Sequence, residues 1–150
     1  AWNNKLYNMN GYENPHKIKQ ELADIMSNDV YVVRENKVLE KTDERILELR
    51  ERFLHCGLPD KTKWANDQLL FMRQLHHQFD LARMVAGAAL NRNESRGAHY
   101  KPEFAKRNDK EWLCVTKANY TEQGPSYDYS EKVNTDTIAP VERRYDVTRS

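Results

Sequence analysis

Glu94, Arg96 and His99 place a carboxylate, a guanidinium and an imidazole within one short stretch, flanked by the hydroxyls of Ser95 and Tyr100. Gly97 sits among them, the only glycine between Gly87 and Gly124, so these groups are carried by backbone free to turn sharply. Such a corner suits either catalysis or docking. The other reactive side chains assemble less well. His76 and His77 are adjacent, and on a helix they diverge by about 100°, too far to share one metal easily. His55-Cys56 would need distant partners to complete a zinc site. Cys56 or Cys114 would need an activating base to act as a nucleophile, and the sequence places none. The five glycines, Gly11, Gly57, Gly87, Gly97 and Gly124, never form Gly-x-Gly. A dinucleotide fold needs clustered glycines so that backbone can approach a pyrophosphate at a helix start.

The run Asn93-Glu94-Ser95-Arg96-Gly97-Ala98-His99-Tyr100, with Phe104, Arg107-Asn108-Asp109 and Trp112-Leu113, resembles the signature of the flavoprotein subunit of succinate dehydrogenase and fumarate reductase. L-aspartate oxidase is a more distant relative. The resemblance reaches upstream through Glu21-Leu22, Met26, Val33-Arg34 and residues 73–89, and downstream more loosely to Arg144-Tyr145. It implies the C-terminal helical domain of such a subunit, preceded in the family by flavin-binding and capping domains. The parent would use FAD to interconvert succinate and fumarate and exchange electrons with an iron-sulfur subunit at the membrane. The family's flavin-linking histidine and its dicarboxylate-binding His and Arg have no matching positions here. No catalytic, cofactor-binding or metal residue is therefore assigned within the chain, and FAD is expected in the parent subunit only. Glu94, Ser95, Arg96, Gly97, His99 and Tyr100 are assigned to interdomain docking, with the Arg96 fork engaging a carboxylate or carbonyls of a neighbouring domain. An indirect effect on the flavin site and plain surface remain the alternatives. For the whole chain the alternatives are a free-standing helical interaction module and the matching domain of an L-aspartate oxidase.

Composition narrows the partners. At 150 residues, with 39% hydrophobic and 31% charged, the chain suits one domain whose apolar residues gather on a few faces. Lys plus Arg (24) nearly balances Asp plus Glu (23), which removes the broad positive field needed for non-specific binding to nucleic acid or anionic membranes. No apolar run approaches the ~20 residues of a membrane span, and the first residues lack the pattern of a signal peptide. The expectation is a cytoplasmic chain with reduced thiols and without membrane insertion; the resemblance adds that it is held peripherally at the inner face of the cell membrane through partner subunits.

Helices must position the corner. Residues 1–14 read as a polar lead-in. Asn14 offers an N-cap, Pro15 a first helical position, and Ile18, Leu22, Ile25 and Met26 a stripe, predicting a helix over 15–27. By the resemblance, Val30 to Val33 is a bend or extra helical turn. Leu39, Ile46, Leu49, Phe53 and Cys56 share one face of a second helix over 36–56, closed by Gly57. Met72, Leu75, Phe79, Ala82, Ala86 and Ala89 alternate threes and fours along a third helix over 63–92, capped by Asp60 or Thr62. The fold class is mainly α. An antiparallel, spectrin-repeat-like three-helix bundle fills residues 15–100 and ends in the corner. Residues 101–150 hold a loop, a β-hairpin from runs 112–120 and 126–133, and an extended tail from Asn134, packed on the bundle or on absent domains. Tyr100, Phe104 and Trp112 are expected to form an aromatic cluster under the loop.

Overall fold

The computed structural model describes residues 2–141. Its frame is three long helices: α2 (Pro15–Asp29), α3 (Asn36–Phe53) and α4 (Asp67–Asn91), each in contact with the other two, with a short α1 (Trp2–Tyr7) against α4. The expected stripes are the buried ones. Ile18, Leu22 and Ile25 from α2 meet Leu39, Ile46, Leu49 and Phe53 from α3 and the Met72 to Ala89 stripe of α4 in one core. Phe53 and Phe79 form its centre, with ring centroids 5.7 Å apart. Asn14 caps α2 as its type dictates, its side chain accepting from the His16 amide at 2.9 Å, with Pro15 opening the helix.

Helix ends depart from the sequence reading. Residues 1–14 carry α1, which buries Leu6, with Met9 buried just beyond; six residues are too few for a periodic face to be legible. α3 stops at Phe53, and Gly57 is not its cap. Gly57 instead bridges Asn10 across two crossing segments, where a Cβ at Gly11 would lie 1.9 Å from the His55 carbonyl oxygen. The close approach of two backbones is what requires glycine there. α4 begins at Asp67, and its cap is Asn66, whose side chain accepts from the Leu69 amide at 2.8 Å. Asp60 closes a tight turn on the Thr62 amide instead. α4 is thus about 37 Å long at ~1.5 Å per residue.

Beyond the corner come a 3-10 turn (Pro102–Phe104), α5 (Asp109–Trp112) and an antiparallel pair, β1 (Lys117–Asn119) and β2 (Ser126–Asp128), with Ala118 opposite Tyr127. The pairing extends past the strands through a Cys114–Lys132 bridge. The hairpin seats on the small-residue half of α4. The Tyr127 hydroxyl donates to the Met84 carbonyl at 3.0 Å, in space that a side chain at Gly87 would fill. The rings of Tyr100, Phe104 and Trp112 do not cluster. Trp112 packs edge-on to Tyr129 at 5.3 Å and beneath Arg92, Phe104 lies under the Lys101 ammonium, and Tyr100 is exposed. The part of the tail expectation beyond residue 141, including Arg144-Tyr145, falls outside the described residues.

Candidate functional site

α4 ends at Asn91, and the chain folds back on itself within nine residues. Arg96 and His99 pair through both backbone groups (2.8 and 3.0 Å), and the turn between them is opened by Gly97 at φ +59. That conformation is strained for residues with a Cβ, which is why the turn needs glycine. The Ser95 hydroxyl fastens the next stretch, donating to the Phe104 carbonyl (2.8 Å) and accepting from the Lys101 amide (3.0 Å).

Glu94 is the hub. Its side chain is fully buried, yet it accepts from Arg92 Nε (2.8 Å), Arg96 Nε (2.8 Å), Arg96 Nη2 (2.9 Å) and the Asn108 amide (3.0 Å). Burial alone would push this carboxyl up; the hydrogen bonds from Arg96, the Asn108 amide and Arg92 outweigh it, and the net shift is downward. Glu94 is therefore ionised, with its lone pairs occupied. Arg96 continues to Asp109 (2.6 Å), and Asp109 to Arg107 (2.8 Å), which joins α4 to α5. Arg92 bonds Thr116 Oγ1 (3.0 Å) and the carbonyls of Trp112 and Cys114, bringing in the start of the hairpin.

His99 is held at both nitrogens. Nδ1 faces Arg34 Nη1 at 2.6 Å and must accept, so Nε2 carries the proton and donates to the Arg92 carbonyl at 2.9 Å. Burial, helped by the charges of Arg34, Lys101 and Arg92, lowers its pKa below the usual imidazole value. Lys101 is fully buried with its ammonium on the Leu90 carbonyl (2.8 Å) and Asn93 Oδ1 (3.1 Å), closing the C-terminal end of α4. Burial brings its pKa down to about 8.

The structure thus brings Glu94, Ser95, Arg96, Gly97 and His99 into one network and leaves the Tyr100 ring outside it. The expectation that the Arg96 fork meets a carboxylate of another domain needs revision: Glu94 and Asp109 of this chain already occupy it. Sequence reasoning gave no site role to Arg34, Arg92, Lys101 or Asn108, although Arg34 and Asn108 stand in the stretches that carry the resemblance. Arg34 lies 65 residues from His99, a pairing that no local pattern encodes. Lys101, next to Tyr100 and before Pro102, reads as surface until the fold covers it. Neither Glu94 nor His99 keeps a free position with which to move a proton, so the arrangement braces.

A separate cleft of about 480 Å³ lies between residues 10–16, 57–59 and the start of α4. It shares no residue with the corner. Its one acid, Glu13, is engaged by Arg52 at 3.0 Å, and its glycines are spent on the crossing of two backbones. Among the described residues no three His, Cys, Asp or Glu side chains are grouped to hold a metal, and no helix is long and apolar enough to cross a membrane.

Residues 19–145 match the sequence model of the family described as fumarate reductase flavoprotein C-term. The chain is 43% identical over 142 residues to the succinate dehydrogenase flavoprotein subunit of Bacillus subtilis, covering 93% of this chain and 24% of that protein. It is 35% identical over 144 residues to the fumarate reductase flavoprotein subunit of Proteus vulgaris, with coverages of 94% and 24%. A solved Escherichia coli quinol fumarate reductase superposes with a TM-score of 0.86 at 30% identity, over 93% of this chain and 24% of that one. The chain spans about a quarter of the length of these relatives.

Proposed function

Since the chain belongs to the fumarate reductase flavoprotein C-terminal family, we propose that it serves as the structural and docking domain of a subunit that interconverts succinate and fumarate. The flavin, FAD, would supply the two-electron redox chemistry from the preceding flavin-binding and capping domains, and an iron-sulfur subunit at the inner face of the cell membrane would be the electron partner. The residues of this chain do not suit the flavin itself: its glycines serve a backbone crossing, a tight turn and the seat of Tyr127 rather than a phosphate cradle.

The observation that carries this reading is the Glu94 hub. An ionised carboxylate that is fully buried and ligated by two guanidiniums and an amide locks the end of α4, α5 and the hairpin into one body. The exposed parts of the same motif, Gly97, Ala98 and Tyr100, then form a stiff outer edge against which another domain can register. What this chain contributes is position: it holds a surface in place without moving protons.

The test compares the full-length subunit with residues 1–150 alone. The full subunit is expected to retain flavin and oxidise succinate, and the shorter chain to be colourless and inert toward a dye with succinate. Stoichiometric flavin in the shorter chain, or turnover above a buffer blank, would refute the assignment.

A further inference from the structure

Seven arginines among the described residues are half-buried, and six of them sit on a carboxylate of this chain: Arg50 on Asp80, Arg52 on Glu13 and Glu21, Arg83 on Asp43, Arg92 and Arg96 on Glu94, Arg107 on Asp109. Arg34 alone has none. Its Nε donates to the Val30 and Tyr31 carbonyls (2.8 and 2.9 Å) and its Nη1 to His99 (2.6 Å), while Nη2 has no partner among the described residues and is open to the surface. Neighbouring acids do not relieve it. Glu103 is tied to the Asn36 amide at 2.9 Å, and Glu35 makes no ion pair among the described residues. Partial burial works against the charge, as the lowered pKa of Arg34 reflects.

The backbone around Arg34 is hydrogen-bonded to the corner and carries exposed apolar side chains. Val33 and Tyr100 pair as a parallel bridge, with the Arg34 amide donating to the Tyr100 carbonyl (2.9 Å) and the Tyr100 amide to the Val32 carbonyl (3.1 Å). On this ledge Tyr31 is 72%, Val33 55% and Tyr100 41% exposed. Large apolar side chains held on fixed backbone beside an uncompensated guanidinium are the composition of an interface centre, where aromatic residues and arginine dominate the energetics.

We propose that the ledge of Tyr31, Val33 and Tyr100 is the seat of the preceding, flavin-binding part of the same subunit, which lays an apolar patch on it and presents a carboxylate to Arg34. The inference rests on the function proposed above and adds to it the contact surface and the chemistry of its partner. The occupant follows from length: about three quarters of each relative lies outside this chain. It also follows from continuity, because Tyr100 belongs to both the ledge and the braced corner. A carboxylate reaching Arg34 Nη2 would complete for this arginine the pairing that its six counterparts find within the chain.

The test uses the full-length subunit with the photoreactive residue benzoylphenylalanine at position 33, and at position 44 on the exposed face of α3 as a control. Irradiation and peptide mapping are expected to join position 33 to a segment of the same polypeptide preceding residue 1, at least about tenfold more efficiently than position 44. Arg34→Glu should weaken that cross-link, and replacing an Asp or Glu of the captured segment by Arg should restore it. Capture of a second copy, capture of a separate polypeptide, or yield no higher than the control would overturn the proposal. So would a position-33 cross-link whose yield is unaffected by Arg34→Glu. If any of these occurs in a subunit that retains flavin and oxidises succinate, the ledge is wrong and the proposed function stands. A full-length subunit that holds no flavin and leaves succinate unchanged sinks both.

Discussion

Arg96→Ala separates a solvated docking charge from an internal brace. A fork waiting for an absent domain would be surrounded by water, and its loss would change the stability of residues 1–150 by less than ~1 kcal/mol. The structure calls for more. The substitution removes two hydrogen bonds from a fully buried carboxylate (2.8 and 2.9 Å) and one from Asp109 (2.6 Å). Hydrogen bonds to a charged group are each worth about 1.5 to 3 kcal/mol, and stripping a buried ion of its whole partner costs about 3 to 5 kcal/mol. Arg92 and the Asn108 amide stay on Glu94, and the Arg96 side chain is itself 28% exposed, so the cost falls below that of a stripped ion, at about 2 kcal/mol. The assay is urea denaturation followed by circular dichroism, repeated as a function of pH. Glu94 has a folded pKa below its unfolded value, so its stabilisation is present above about pH 4.5 and is lost as pH falls through the folded value. The gap between wild type and Arg96→Ala should therefore be full near neutral pH and shrink as Glu94 protonates. Arg96→Lys, which keeps the charge and loses the bidentate fork, should recover less than half of it. A loss under about 0.5 kcal/mol at pH 7, or a gap that does not change down to pH 3, would refute the brace.

Phe79→Ala should cost about 3 to 5 kcal/mol in the same assay, because Phe79 is fully buried against Phe53; a loss below about 1 kcal/mol would contradict its place in the core. Gly87→Ala puts a methyl 2.2 Å from the Tyr127 hydroxyl and should lift the hairpin from α4, seen as faster amide exchange at residues 117–128, with Tyr127→Phe restoring part of the protection. Lys101, folded pKa about 8 against 10.5 unfolded, binds more protons when unfolded between those values, so its contribution makes stability rise with pH across that window. Lys101→Met should abolish that rise, and an unchanged slope between pH 8 and 10 would show that the ammonium is not buried.

The sequence by itself determined the three long helices, because a periodic stripe such as Met72, Leu75, Phe79, Ala82, Ala86 and Ala89 is a local property that any packing must bury. It determined the cap at Asn14, where side chain and amide are two residues apart. It also placed the hairpin, and the motif around Gly97 that marks the family. Tertiary structure decided what no window of neighbouring residues contains. α1 is held in place by burying Leu6 and packing the Trp2 ring against His76, so its six residues are stable only once α4 is there. Gly57 read as a helix stop, yet serves a crossing with Gly11 that is 46 positions away. The charges changed most between the two views. Arg96 looked outward in the sequence because nothing in the chain shows that Glu94, two residues away, is buried, and because Asp109 becomes a neighbour only when α5 folds back; Arg34 looked ordinary until every other half-buried arginine among the described residues had found an acid. A charge acquires its meaning from burial and from partners brought together by long-range packing, whereas a hydrophobic stripe carries its meaning along the chain.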